Sequence, residues 1–172
     1  MSDQISLQPV SNYPDLAIEP LRWSLQLWGE GKEEFSSQDW HDFYANALNA
    51  NYQSWNLDGF DQELLYLAIR DNKGSTEVVA SIALCDFDDL QEFRHLKPWI
   101  AAFIVREDLR GSGIGGVVLK LMEEKVVSFG INTIYLWTES AVKFYSNRGY
   151  KVIDKLIKPG REIVIMSKNI ST

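Results

Sequence analysis

Pro98-Trp99-Ile100-Ala101-Ala102-Phe103-Ile104-Val105 is almost wholly apolar, and Arg110-Gly111-Ser112-Gly113-Ile114-Gly115-Gly116 follows it after a short polar link. The first stretch reads as a central strand, because a strand covered on both faces has no reason to alternate. The second reads as a turn into a helix over 117–129. Val117, Val118, Leu121, Met122 and Val126 are expected inward, Lys120, Glu123 and Glu124 outward, and Gly130 ends the helix. Strand, glycine turn and helix together make an anion site. The first turn of a helix leaves N–H groups without partners and carries the positive end of the dipole. Glycines let a large anion approach the backbone without a Cβ in the way, and a diphosphate suits such a place. Ser112 adds a hydroxyl donor and Arg110 a permanent charge at the mouth.

Two other phosphate-binding patterns do not fit. A dinucleotide fingerprint needs Gly-x-Gly-x-x-Gly in the first strand–helix unit, whereas Gly111, Gly113 and Gly115 have another spacing and fall late in the chain. A P-loop needs Gly-Lys-Ser/Thr, and here Gly116 is followed by Val117 and Val118.

Outward from this junction, a buried-type strand is expected over 133–137 and a short helix over 140–148, stopped by Gly149. Two strands follow over 150–157 and 162–167, around Lys158-Pro159-Gly160. Upstream, a strand over 5–9 precedes a helical pattern over 13–28, with Pro20 near its start and Gly29 and Gly31 at its end. Ser36 or Ser37 caps a second helix over 38–49. A hairpin joins 63–70 to 76–84 through Asn72-Lys73-Gly74. The segment 86–97 reads as a charged connection, too polar and broken for a core element. This order gives a mixed α/β sheet with helices on both faces, and the crossovers bring strands 98–105 and 133–137 together in its middle. The 172 residues are one domain by length.

Net charge is −7, which argues against nucleic acid or an anionic membrane as a main partner. Its distribution is uneven: residues 1–98 carry 6 basic and 17 acidic residues, and 99–172 carry 11 and 7. The two halves are read as facing ligands of opposite sign. No apolar run reaches the roughly 20 residues of a membrane helix, and 1–10 shows no secretion signal, so a cytoplasmic location is expected. One cysteine, Cys85, and two histidines, His41 and His95, leave no disulfide pair and no metal-ligand spacing, so no metal is expected.

A second motif is Ser140-Ala141-Val142-Lys143-Phe144-Tyr145-Ser146-Asn147-Arg148-Gly149-Tyr150. With Val105 and Arg110-x-x-Gly113-x-Gly115 before it, the sequence resembles the GNAT superfamily of acetyl-CoA-dependent N-acetyltransferases, chiefly over 76–168. Ala141, Phe144, Tyr145, Gly149 and Tyr150 match the second family motif. The resemblance implies a mostly antiparallel sheet with a splayed central strand pair. Residues 1–98 would form acceptor-side elements and first strands, and 99–172 the acetyl-CoA-binding core. Phe103, Ile104 and Val105 would offer backbone groups to pantetheine. The amides of Arg110, Gly111, Ser112, Gly113, Ile114 and Gly115 would hold the pyrophosphate. Ala141 and Phe144 would lie against the cofactor, and Tyr145 would protonate the departing thiolate. A phenol, ordinarily near pKa ~10, keeps that proton at neutral pH.

The general base is open: 98–105 holds no acidic residue or histidine, and Glu63, Asp86, Glu139 and His95 are candidates through a water. Cys85, ending an apolar strand, is expected to be buried rather than a nucleophile. Trp23, Trp28, Trp40 and Trp55 are helix-face core or, in part, walls of an acceptor cleft. With the excess of carboxylates, a cleft would suit a cationic small amine or a peptide amine. A non-catalytic acyl-CoA-binding regulatory module with the same fold is the alternative, and the chain is expected to be a monomer or homodimer.

Overall fold

The computed structural model describes residues 4–29 and 35–171. Its seven strands are β1 (Ile5–Pro9), β2 (Glu63–Asn72), β3 (Ser75–Cys85), β4 (Trp99–Val105), β5 (Thr133–Thr138), β6 (Lys151–Lys158) and β7 (Arg161–Asn169). The helices are α1 (Ile18–Trp28), α2 (Ser37–Leu48), α3 (Ile114–Ser128) and α4 (Val142–Ser146). One sheet runs β1-β2-β3-β4-β5-β7-β6, with every pairing antiparallel except β4–β5. The mixed sheet expected from the sequence is present.

Alternation along β2 explains the layers. Leu64, Tyr66 and Ala68 enter a cluster with Val118, Met122 and Val126 of α3. Leu65, Leu67 and Ile69 enter another with Leu21 of α1 and Trp40, Phe43 and Tyr44 of α2. Helices therefore cover both faces. At the start of α2, Ser36 Oγ accepts from Asp39 N while an Asp39 carboxylate oxygen accepts from Ser36 N at 2.7 Å. This reciprocal cap satisfies two donors that the helix cannot. Gly29 caps α1, and Gly31 lies outside the described residues. The helical pattern expected over 13–28 resolves into one 3₁₀ turn, Pro14–Leu16, followed by α1; a further 3₁₀ turn, Val10–Asn12, precedes it. Pro14 disfavours helical backbone at Tyr13, so the helix begins later.

Helix α3 begins at Ile114, three residues before its expected start, and Val117 is 47% exposed rather than inward. At 100° per residue the buried stripe runs through Ile114, Val118, Met122 and Val126, with Leu119 on its flank, and Val117 falls on the far side. Glu123 is not outward either. It takes Lys168 Nζ at 2.8 Å and the Tyr150 hydroxyl at 3.1 Å, tying α3 to β7 and to the residue just before β6. The segment 86–97 also differs from expectation. Leu90 is only 2% exposed and joins Trp99, Ile163 and Ile165 in a third cluster, so the segment supplies core as well as charge.

Candidate acetyl-transfer site

The site begins where β4 leaves its neighbour. Strands β4 and β5 are in register at one pair, Trp99 and Tyr135, where Tyr135 N donates to Pro98 O at 3.1 Å. No further pairing between them is present among the described residues. Ala101, Ala102, Phe103 and Val105 are consequently half-exposed, so β4 is not covered on both faces along its length as its composition implied. On the other side β4 stays paired to β3. Arg106 N donates to Val79 O at 2.9 Å, so alternation turns the Val105 peptide groups toward the opening, where Arg110 Nε donates to Val105 O at 3.1 Å.

A bulge interrupts β4. Ser81 faces Ile104 and Ala83 faces Ala101, so Ile82 alone opposes Ala102 and Phe103. Ala102 has φ 49°, in the left-handed region that a side chain resists. A bulge re-aims backbone groups, and this one lies on the wall of a cavity of about 380 Å³. Nothing in the sequence marks it beyond two small residues in succession.

The glycine turn follows. Gly111 and Gly113 have φ 77° and 89°, and a Cβ at either would meet nothing within 4 Å, so the space above the turn is open. Gly113 occupies the N-cap with no side chain capping α3. Val117 N is the first amide to close a helical bond, to Gly113 O at 3.3 Å. Arg110 N, expected to serve the anion, donates instead to Glu107 O at 3.3 Å, so the amides open at the helix end are those from Gly111 on. Ser112 Oγ donates to Leu109 O, which steadies the turn. Gly115 lies between Val105 and Phe144, and its missing side chain lets α4 close on α3, with Phe144 Cζ 3.4 Å from where a Cβ would stand. Ile104 and Ile114 turn their side chains into the interior.

At the other end of this strip, Phe103, Ala141 and Tyr145 line the cavity. Thr138 Oγ1 accepts from Ser140 N and Ala141 N and so fixes the entry to α4. Tyr145 N donates to Ala141 O at 3.2 Å, which sets the small residue one turn before the phenol. The Tyr145 ring is held edge-on between Phe144 and Tyr150. Burial, and secondarily the nearby Asp88 carboxylate, push its hydroxyl up to about 12, so it stays protonated throughout the neutral range.

Much of the cavity lining is acidic and aromatic. Asp61, Glu63, Asp86, Asp88 and Asp89 line the cavity, as do Trp28, Trp40 and Trp137. Trp28 and Trp40 stack with centroids 5.4 Å apart. Asp86, 5% exposed, accepts from Asp61 N at 2.8 Å. Glu63 accepts from Asn46 Nδ2 at 3.3 Å. Burial pushes the Glu63 carboxyl up to about 7, the Asn46 bond opposes that shift, and Asp86, Asp61 and Asp89 reinforce it. Burial also raises the Asp88 carboxyl well above its ordinary value. Glu139 reaches the cavity but pairs with Arg161 at 2.7 Å.

Of the sequence candidates, Glu63, Asp86 and Glu139 thus meet at one cavity, while His95 is exposed elsewhere. Trp28 and Trp40 line it, and Trp23 and Trp55 pack into the core. Cys85 is buried, and burial raises its thiol. Asp61, Asp88, Asp89 and Trp137 carry no local signal in the sequence, since only tertiary structure brings them to the cavity. Among the described residues no group of three or more His, Cys, Asp or Glu is arranged to hold a metal ion, and no helix is long and apolar enough to cross a membrane.

The family model described as Acetyltransferase (GNAT) family matches residues 26–150. The chain belongs to the GNAT acetyltransferase family. Acetyl-CoA is the acyl donor in this family. No curated protein matches the sequence. Among solved structures, an aminoglycoside 6'-acetyltransferase type Ii superposes with TM-score 0.68 at 19% identity, covering 98% of each chain. An aminoglycoside 6'-N-acetyltransferase complexed with coenzyme A gives 0.67 at 17% identity, again over 98% of each chain. An IAA acetyltransferase from Bacillus cereus gives 0.55 at 17% identity, covering 98% of this chain and 99% of that one. At such identities the likeness establishes the GNAT fold alone.

Proposed function

We propose that this GNAT protein transfers the acetyl group of acetyl-CoA to a cationic primary amine by direct attack, with both reactants bound together. The observation that carries the reading is one cavity that gathers unlike groups. The β4 bulge and Tyr145 line it together with the acidic side chains Asp61, Glu63, Asp86 and Asp88 and the aromatic Trp28 and Trp40. Carboxylates and aromatic faces attract an ammonium group. Names of aminoglycoside acetyltransferases among the superposing structures agree with such an acceptor. In this reading 99–172 chiefly hold the donor, and 1–98 chiefly shape the acceptor side.

Acetyl-CoA supplies the thioester. The amides of Gly111 to Gly115 hold its diphosphate, and Phe103 and Val105 present backbone groups to pantetheine along the opening between β4 and β5, while Ile104 faces Ser81 of β3. Ala141 and Phe144 flank the arm. The amine must be neutral to attack, and Glu63, ionised in the upper part of the neutral range, receives its proton through water. The amine lone pair forms the N–C bond as the C–S bond breaks. Backbone N–H groups at the bulge polarise the carbonyl oxygen, and the Tyr145 hydroxyl delivers a proton to the departing sulfur. Holding two reactants together supplies much of the rate.

Thiol release from acetyl-CoA, followed with polyamines, aminoglycosides, lysine peptides and neutral amines, tests this reading. Cationic acceptors are expected to lead, and to lose kcat/KM as salt rises. Equal rates for neutral amines, with no salt effect, would refute the cationic acceptor. Tight acetyl-CoA binding with no transfer to any amine would instead mark an acyl-CoA-binding module.

A further inference from the structure

Glu123 of α3 and Lys168 of β7 have no part in the scheme above. The Glu123 side chain is 14% exposed and takes Lys168 Nζ through both carboxylate oxygens, at 3.0 and 2.8 Å. Glu123 Oε1 also accepts from the Tyr150 hydroxyl at 3.1 Å. Lys168 Nζ lies 5.5 Å from the Tyr150 ring centroid. Its stem passes close to Gly149, where a Cβ would stand 3.3 Å from Lys168 Cε. Tyr150, 2% exposed, is thus held both at its hydroxyl and on its ring.

Stability does not account for this arrangement. Bringing a carboxylate, an ammonium and a phenol out of water has a cost that their pairing only offsets, and apolar side chains of similar volume often serve as well or better. What the arrangement does fix is the place of a ring. The Tyr150 ring meets the Tyr145 ring edge-on, with centroids 5.6 Å apart, and Tyr150 N donates to Tyr145 O at 3.2 Å. Phe144, the other ring against the phenol, belongs to the same short helix α4 and moves with it. Tyr150 stands outside α4 and is anchored to α3. The first turn of α3 receives the donor in the reading above. Glu123 and Tyr150 therefore link the helix that seats the donor to the phenol that must meet its sulfur.

We propose that Tyr150 is a positioning residue for acetyl transfer: fixed by Glu123 and Lys168, its ring holds the Tyr145 phenol at the angle that meets the departing sulfur. The inference rests on the reading that Tyr145 is the acid, and adds what aims it.

The test uses the full chain with Y150F, E123L, Y145F and the Y145F/Y150F double variant. With spermidine as acceptor, Y150F and E123L are each expected to lower kcat about tenfold. CoA affinity by calorimetry should be unchanged, and the urea midpoint unchanged or raised. In the Y145F background, Y150F should lower kcat no further, because the group it aims is gone. A second readout needs no acceptor. With tyrosine rings labelled with ¹³C, the Tyr145 resonance, identified by its absence in Y145F, should shift or broaden in E123L with CoA bound. Wild-type kcat in Y150F, the same fractional loss in both backgrounds, or an unmoved Tyr145 resonance in E123L would overturn the proposal. A ring that merely packs would lower kcat alike with or without the Tyr145 hydroxyl. Full kcat in Y145F would overturn the acid reading itself, and the positioning role with it.

Discussion

Replacing Glu63 with glutamine should stabilise the protein at alkaline pH and leave it unchanged in acid. In the folded chain the Glu63 carboxyl is pushed from 4.5 to about 7, mainly by burial, with Asp86, Asp61 and Asp89 adding to it and Asn46 opposing it. Cys85, its cross-strand neighbour on β3, stays a neutral thiol. The folded state therefore binds this proton more tightly than the unfolded state. Stability linked to it is fully present below 4.5 and is lost as pH rises through about 7. A tenfold change in proton affinity is worth about 1.4 kcal/mol, which sets a ceiling of roughly 3 kcal/mol. Because the carboxyl is partly solvated, screening reduces this to about 1–2 kcal/mol. Glutamine keeps the shape and cannot ionise. Urea unfolding of both proteins from about pH 4.5 to 8.5 should show them equal at the acid end and E63Q more stable by about 1–2 kcal/mol at the other. With one cationic acceptor, the wild-type kcat/KM should rise with a midpoint near 7, and E63Q should lack that limb. A stability difference that does not change with pH, or an unaltered rate profile in E63Q, would refute the reasoning.

Tyr145→Phe keeps the ring contacts with Phe144 and Tyr150 and removes the acid; kcat should fall about a hundredfold or more with little change in acetyl-CoA affinity, as single-turnover and binding measurements would show. Gly113→Ala should cost about 1–2 kcal/mol in urea unfolding, because φ is 89° although the space is open. Gly113→Glu at the same position should also abolish detectable CoA binding, since it sets a like charge at the helix end. Ala102→Gly should be neutral or stabilising by up to about 1 kcal/mol, whereas Ala102→Val should destabilise the bulge and lower kcat. Met122→Ala, fully buried under the sheet, should cost about 2–5 kcal/mol in the same unfolding assay.

The parts of the fold that show in the sequence are those set by local chemistry. The apolar run 98–105, the glycines from 111 to 116 and the Ser36–Asp39 cap each act through neighbours a few residues away. The same holds for Ala141 and Tyr145, one helical turn apart. What stayed hidden depends on distant partners. Strand β4 looked covered because its composition cannot reveal that β5 departs after Tyr135. The segment 86–97 looked like solvated connection, yet Leu90 plugs a core cluster while Asp86 and Asp88 face the cavity. Asp61 arrives from another loop, and these acidic side chains meet at one cavity only in three dimensions.

The central claim is that the amides at the start of α3 hold the donor so that its thioester enters the gap between β4 and β5 beside Tyr145. A crystal structure with acetyl-CoA bound tests it most directly. The account expects the diphosphate within hydrogen-bond reach, about 3 Å, of amides between Gly111 and Gly115, and the sulfur beside the Tyr145 hydroxyl. A donor seated elsewhere, or a thioester lying outside that gap, would contradict it.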